Sequence, residues 1–99
     1  MILIPLSQVP NQTLDVQLNG KTFTLTIHQG ATSTLMDVSV NGVAVASSAR
    51  IVTRQLVLFS AQETLNGNFF LDILDNESLP DYTQFGKSQF LYYLSPSEL

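Results

Sequence analysis

The chain has 99 residues, of which 44% are hydrophobic and only 12% are charged, and its formal net charge is −4. This length supports one hydrophobic core, so we expect a single β domain spanning residues 1–99. The only cations are Lys21, Arg50, Arg54 and Lys87, and this scarcity argues against binding of nucleic acid or of an anionic membrane. The absence of cysteine excludes disulfides and thiolate metal sites.

The surface is expected to be polar but largely uncharged, because Ser, Thr, Gln and Asn must cover the outside in place of ions. Neutral polar groups cost less to desolvate than ions, so such a surface suits burial against partner proteins. Met1 to Pro5 is apolar but lacks the basic region and the long apolar region of a signal peptide, which favours an N-terminal strand. No apolar run reaches the roughly 20 residues that span a bilayer.

The first clear element is a β-hairpin between Thr13 and His28, centred on Asn19-Gly20. Apolar and polar residues alternate on both sides of this dipeptide, as in half-buried strands. Asn-Gly supplies the two positive φ angles of a type I′ turn. The two-residue loop predicts three opposed pairs on one face: Leu18 with Lys21, Val16 with Phe23, and Leu14 with Leu25.

A second hairpin is predicted around Asn41-Gly42 by the same pattern. Its turn places Val40 opposite Val43 and Val38 opposite Val45, with all four side chains on a shared face. The other face of this hairpin is predicted to carry Asp37, Ser39, Ala44 and Ala46.

Three further strands are predicted along the rest of the chain. Arg50 to Phe59 has the composition of a strand, with a short helical turn around Gln55 as the alternative. Phe69 to Leu74 is a strand with bulky residues on both faces. Phe90 to Leu94 is the last strand, and the following Ser-Pro pair ends it.

These short strands, the repeated Asn-Gly turns and the lack of a long helical pattern predict an all-β fold. We expect a small antiparallel β-barrel or sandwich of about six to seven short strands with at most one helical turn. The barrel is favoured, because an open meander would leave two long edges with little charge to protect them.

No residue pattern predicts an active site, so we expect no catalytic, cofactor-binding or metal-binding residues and no enzyme activity. His28 is the only histidine, and no Gly-x-Ser-x-Gly elbow accompanies it, which favours a rim position over a Ser-His-Asp triad. No glycine spacing matches a phosphate-binding loop. Paired carboxylates for glycoside hydrolysis would need to meet in the folded chain.

The acidic segment offers oxygen ligands for calcium through Asp72, Asp75, Glu77 and Asp81. Its spacing lacks the glycine and the terminal bidentate Glu of an EF-hand, so a solvated polar loop is favoured. Asp81 is also a candidate cap for one helical turn that runs from Tyr82 to Phe85 and ends at Gly86.

The aromatic residues suit either stacking on single-stranded bases, as on oligonucleotide-binding barrels, or packing in the core. The scarcity of cations favours core packing for this set: Phe69, Phe70, Phe90, Tyr92 and Tyr93.

Two terminal segments carry a family resemblance: Ile4-Pro5-Leu6 with Pro10-Asn11-Gln12-Thr13, and Phe85-Gly86 with Phe90-Leu91-Tyr92-Tyr93-Leu94. With the Asn-Gly hairpins between them, they resemble the small baseplate plug proteins of contractile-tailed bacteriophages and prophages, over nearly the whole chain. The middle matches through Met36-Asp37-Val38 and Arg50-Ile51-Val52. The chain departs from the family pattern at Ser33-Thr34-Leu35, where an aromatic residue often stands, and after Phe59.

The resemblance implies a structural virion protein of the tail baseplate, made in the host cytoplasm. It implies a central plug that bridges the tail tube to the hub and spike in several symmetric copies, with a trimer expected. The implied partners are the hub and spike protein, the tail tube protein and the tape-measure protein. No catalytic residue is carried over, so the function would consist of protein-protein contacts.

We expect flat polar β surfaces to make these contacts, together with an unpaired edge strand that adds to a neighbour's sheet. The candidate edges are Leu3 to Leu6 and Phe90 to Leu94, with Leu91 and Tyr93 as the candidate interface residues. Two alternatives stay open: a free-standing β-barrel that binds a ligand or peptide, and, ranked last, a small hydrolase.

Overall fold

The computed structural model describes residues 1–30, 33–52, 54–58, 67–74, 80 and 82–98. These ranges contain seven β-strands in two antiparallel sheets, which confirms the predicted all-β class and strand number. The strands are β1 (Ile2–Ile4), β2 (Asn11–Leu18), β3 (Lys21–Gln29), β4 (Thr34–Val40), β5 (Val43–Ile51), β6 (Asn68–Ile73) and β7 (Gln89–Leu94).

The first sheet has the strand order β2-β3-β4-β5, and Asn-Gly turns make two of its hairpins. The φ angles are 52° and 77° at Asn19-Gly20 and 51° and 82° at Asn41-Gly42, all in the left-handed region that a type I′ turn requires. Both turns are therefore confirmed. Four predicted pairs are observed: Leu18 with Lys21, Val16 with Phe23, Leu14 with Leu25, and Val40 with Val43.

The rest of the second hairpin differs from the prediction, because β5 contains β-bulges. Val38 pairs with Ala46 and not with Val45. From Ser39 to Val38 the pairing moves by one residue along β4 but by two along β5, from Ala44 to Ala46. A second shift follows, because the next step from Val38 to Met36 is matched by three residues of β5, from Ala46 to Ala49. Since an extra residue switches the face on which the following side chains lie, Ala46 packs in the core with 8% of its surface exposed. Its predicted place on the outer face is wrong.

The second sheet has the strand order β1-β7-β6, so β7 is its central strand. The prediction that Phe90 to Leu94 forms an unpaired edge is wrong, because β1 and β6 pair with β7 on its two sides. The candidate interface residues Leu91 and Tyr93 are 0% and 1% exposed and lie in the core. Of the two candidate edges, only the N-terminal one is at the border of this sheet.

Strand β5 ends at Ile51, and the chain then turns. The predicted strand from Arg50 to Phe59 is confirmed at Arg50 and Ile51, which end β5, but it is wrong from Arg54 onward, because Arg54 has a φ of 63° and lies in a turn. In that turn the Gln55 amide donates to the Val52 carbonyl at 3.2 Å. The alternative, a short helical turn around Gln55, is right about the turn but not about the helix, because no described helix includes Gln55. Thr53 and Phe59 of the predicted strand lie outside the described residues.

The two sheets pack face to face with a shared apolar core. Phe23 of β3 contacts Phe69 of β6 and Tyr93 of β7, with ring centroids 6.0 Å and 5.4 Å apart. A barrel requires a continuous ladder of paired strands around the core. No ladder joins the two sheets in the described part of the chain, so the favoured barrel is wrong and the alternative, a sandwich, is confirmed.

In the described part of the chain, the helical content consists of two short 3-10 turns, Tyr82–Gln84 and Pro96–Glu98. The first confirms the turn predicted before Gly86, which has a φ of 80°, whereas its predicted cap Asp81 lies outside the described residues. The second was not predicted. Among the described residues no helix has the length and apolarity to cross a membrane.

Candidate interaction surfaces

The outward side of the four-stranded sheet carries short polar side chains, and we call it the polar face. Its residues alternate with core residues along each strand, which directs them away from the second sheet. The polar face comprises Thr13, Asp15, Gln17, Thr22, Thr24, Thr26, His28, Asp37 and Ser39.

Many groups of the polar face bind one another across the strands. The Thr24 hydroxyl donates to Asp15 Oδ1 at 2.7 Å. The Gln17 side-chain amide donates to the Thr22 hydroxyl at 2.7 Å. Because these donors and acceptors already have partners, covering them with another protein leaves few unsatisfied groups.

His28 lies at the rim of the polar face, as predicted. Its Nε2 is 3.1 Å from Asp37 Oδ2, and the two side chains are 43% and 40% exposed. The other carboxylate oxygen of Asp37 accepts a hydrogen bond from the Ser48 amide at 2.6 Å. The bond from Ser48, followed by that from His28, lowers the pKa of Asp37. This group therefore joins β3, β4 and the bulge of β5.

The outward side of the three-stranded sheet carries an apolar row, which consists of Leu3, Tyr92, Phe70 and Leu56. Leu3 pairs with Tyr92, and Tyr92 pairs with Phe70. An isolated bridge then joins Phe70 to Leu56. The two ends of the row are the most open, with Leu3 51% exposed and Leu56 40% exposed.

The prediction of core packing holds for two of the five aromatic residues. Phe69 and Tyr93 are buried, whereas Phe70, Phe90 and Tyr92 lie on the outward side and are partly exposed. The signal that separates them was present in the sequence, because neighbouring residues on a strand point to opposite faces. The predicted assignment treated both faces of these strands as core.

Residues 54–58 cover the side of β6 that faces away from β7. Asn68, 1% exposed, holds this segment: its Oδ1 accepts from the Leu58 amide and its Nδ2 donates to the Leu58 carbonyl, both at 2.8 Å. Sequence reasoning missed this residue, because an Asn after Gly67 has the appearance of a turn residue. Two backbone hydrogen bonds also hold residues 54–58 against β6. The Arg54 amide donates to the Leu71 carbonyl at 2.8 Å, and the Val57 amide donates to the Phe69 carbonyl at 2.9 Å.

Strand β1 is the open edge of the three-stranded sheet. It pairs with β7 on one side, and no described strand pairs with its other side. Ile2 is 48% and Leu3 51% exposed, whereas Ile4 is buried. A depression of about 250 Å³ lies beside β1, lined by Leu3, Ile4, Pro5, Leu6, Gly86, Gln89, Phe90 and Leu91.

The two ends of the chain meet next to this edge. The α-ammonium group of Met1 forms an ion pair with the carboxylate of Glu98. Hydrogen bonds from the ammonium group and then from Ser95 lower the pKa of Glu98 to about 2. The pair neutralises the charged terminus beside an otherwise apolar strand.

The acidic segment that offered calcium ligands is described only at Asp72. This carboxylate lies 3.9 Å from Arg54 Nε and accepts a bond from the Ile73 amide at 2.9 Å. The other three acidic residues, Asp75, Glu77 and Asp81, lie outside the described residues. Within the described ranges, no three His, Asp or Glu side chains come together as a metal site.

Comparison with known proteins gives one family match. The family model for the cyanophage baseplate Pam3 plug gp18 matches residues 1–96. The matched range includes all seven strands of both sheets. A search of curated proteins finds no match.

Proposed function

We propose that this chain, which belongs to the cyanophage baseplate Pam3 plug gp18 family, closes the centre of a phage baseplate between the tail tube and the hub and spike. Membership of the family makes it a structural component of a bacteriophage tail baseplate. The observation that carries the proposal is the family match, which extends from the first strand to the last.

The mechanism that we propose is assembly by surface contact, without a chemical step. The internal hydrogen bonds of the polar face support this mechanism, since they lower the cost of covering that face with another protein. The apolar row on the opposite side of the sandwich supports a second contact. A protein with two such surfaces is suited to a position between two neighbours.

The proposed partners are the hub and spike protein, the tail tube protein and the tape-measure protein. We propose that several symmetric copies, a trimer, surround the tail axis, since a tail tube is itself symmetric and each copy must meet an equivalent surface. The protein would be made in the host cytoplasm and function in the virion tail. No cofactor takes part in this proposal.

A free-standing binding domain is the second candidate function. The depression of about 250 Å³ beside β1 favours it, because apolar side chains supply most of its lining. In that case the ligand would be a small apolar molecule or a single apolar side chain of a peptide. The polar face would then be an ordinary solvated surface.

The test is the solution mass of the purified protein, measured by light scattering during size-exclusion chromatography, alone, mixed with the hub protein of the same phage, and mixed with the tail tube protein of that phage. A trimer, or a stable complex with the hub, supports the plug. A monomer that elutes separately from the hub and from the tail tube protein contradicts the plug and favours the binding domain.

A further inference from the structure

The main chain of β1 is free to accept another strand. Its inner side is paired with β7, and the far side of β6 is covered by residues 54–58, so β1 is the open border of the described sheet. An edge strand presents a row of N–H and C=O groups that an added strand can bind. Strand addition at such an edge is a common mode of recognition between proteins.

The edges of the other sheet differ from β1. Proteins protect edge strands with charges and with bulges. β2 carries Asp15, and β5 carries Arg50 together with its bulges. β1 has neither a charge nor a bulge, because all three of its side chains are apolar and its pairing with β7 is regular. Its length of three residues and the following Pro5 limit an added strand to a short contact. Of the edges in the described sheets, β1 is therefore the best suited to accept a strand.

The side chains around β1 suit an apolar partner. The apolar row reaches the edge at Leu3, so an added strand would continue the row with its own outward side chains. The depression lies beside the same strand, between β1 and the turn at Gly86, and has room for one apolar side chain. Main-chain bonds would supply affinity, and the row and the depression would supply specificity.

The apolar row and the depression offer no counter-ion to a charged partner strand. Neither the apolar row nor the lining of the depression contains a carboxylate, ammonium or guanidinium group. The α-ammonium group of Met1 is paired with Glu98, and Arg54 lies beside Asp72 near β6. An ion placed on the row would lose its hydration without gaining a counter-ion.

The area of the outward face of the three-stranded sheet argues against a second copy of this chain as the partner. β6 and β7 have six residues each and β1 has three, so at about 3.4 Å per residue and about 4.8 Å per strand the face measures about 250 Å². A stable complex of two proteins that meet at this face alone needs about 800 Å² on each partner. The face is too small to hold two copies by itself, but it suffices for one strand of a protein that is also held elsewhere.

We propose that β1 accepts an uncharged strand of another baseplate protein, which extends the three-stranded sheet and inserts one apolar side chain into the depression beside Leu3. This inference rests on the proposed function, because it takes the partner from the same assembly. The proposed contact consists of main-chain hydrogen bonds between the added strand and the outer side of Ile2–Ile4.

The test compares tails purified from a phage that lacks this gene and is complemented with wild type, Leu3→Lys or Val43→Lys. Val43 is the matched control, since it is an exposed apolar residue on an edge strand of the other sheet. Mass spectrometry measures the copies of the protein in each tail. We expect wild-type amounts for Val43→Lys and at least a tenfold loss for Leu3→Lys, because a lysine at the edge blocks strand addition.

Hydrogen exchange gives an independent measurement that requires no variant. The amides of Ile2–Ile4 are expected to exchange more slowly in purified tails than in the free protein, whereas those of β3, which is paired on both sides in the free protein, change less. Thermal unfolding of free Leu3→Lys checks that the variant is folded, as the exposure of Leu3 leads us to expect.

Three results would overturn the inference. Wild-type amounts of Leu3→Lys in tails, with unchanged exchange at β1, would overturn it and leave the proposed function standing. A dimer of the free protein that Leu3→Lys dissociates would show that a second copy occupies the edge. The absence of wild-type protein from tails would overturn the proposed function, and this inference with it.

Discussion

At the scale of single residues, Gly67 is the glycine with the least room for a side chain. Its φ of 112° lies where L side chains are rarely found. A Cβ atom there would lie 2.5 Å from the Leu94 carbonyl oxygen and 2.6 Å from a ring carbon of Tyr93. Gly20 also has a positive φ, but a Cβ there would have no atom within 4 Å.

Replacement of Gly67 by alanine is expected to lower the free energy of unfolding by at least about 2 kcal/mol, because backbone strain and a backbone clash add together. Gly20→Ala is the matched control. It should lower the free energy of unfolding by about 1 kcal/mol, since its Cβ atom adds backbone strain but no clash. Urea denaturation of both variants measures the difference. Equal losses would show that the contact with β7 does not limit this position.

At the scale of elements, the bulge of β5 depends on one carboxylate. Ser48 has a φ of 52°, an uncommon value for a residue with a side chain. Its amide donates to Asp37 Oδ1 at 2.6 Å, so the carboxylate replaces the strand partner that the bulge removes. This bond, with that from His28, lowers the pKa of Asp37 below its ordinary value of 3.8.

Acid is therefore expected to loosen the bulge. Because the pKa of Asp37 is lower in the folded state, its contribution to stability is complete above the unfolded pKa and is lost as the pH falls through the folded pKa. Asp37→Asn should be less stable than wild type at neutral pH, and the difference should shrink in acid. Chemical denaturation of both proteins between about pH 6 and about pH 3 measures this difference in the free energy of unfolding. Ser48→Ala keeps the backbone donor, so it should retain the wild-type pH dependence.

At the scale of the whole molecule, an aromatic cluster joins the two sheets. The cluster consists of Phe23 from the four-stranded sheet and Phe69 and Tyr93 from the three-stranded sheet. Burial raises the pKa of Tyr93, which keeps its phenol neutral within the core. The three rings meet edge to face or tilted, an arrangement that stabilises aromatic pairs beyond the burial of their area.

Phe23→Ala is expected to lower the free energy of unfolding by about 3–5 kcal/mol, because it leaves a cavity between the sheets. The free energy of unfolding of a native protein is about 5–15 kcal/mol in total, so this variant would lose much of its stability. Phe90→Ala, on the partly exposed outward side, should cost less than about 2 kcal/mol. Denaturant unfolding compares them. A similar cost for both would contradict the assignment of Phe23 to the inter-sheet core.

The sequence by itself determined the local features of this protein. An Asn-Gly loop specifies both turn type and register over a few residues, so the first hairpin and the start of the second followed from neighbouring residues alone. Strand alternation was enough to indicate the all-β class and the polar face. The terminal segments were enough to indicate the family that the comparison then showed.

Only the tertiary structure decided how the strands come together. The central place of β7, which buries Leu91 and Tyr93 and leaves β1 as the open edge, depends on pairing between the two ends of the chain. The bulge between Ala46 and Ala49 is held by the bond between Asp37 and Ser48. The fold is a sandwich and not a barrel because no ladder of paired strands joins the two described sheets. The alternation of apolar and polar residues along a strand predicts which face of that strand is buried, but it does not predict which other strand pairs with it.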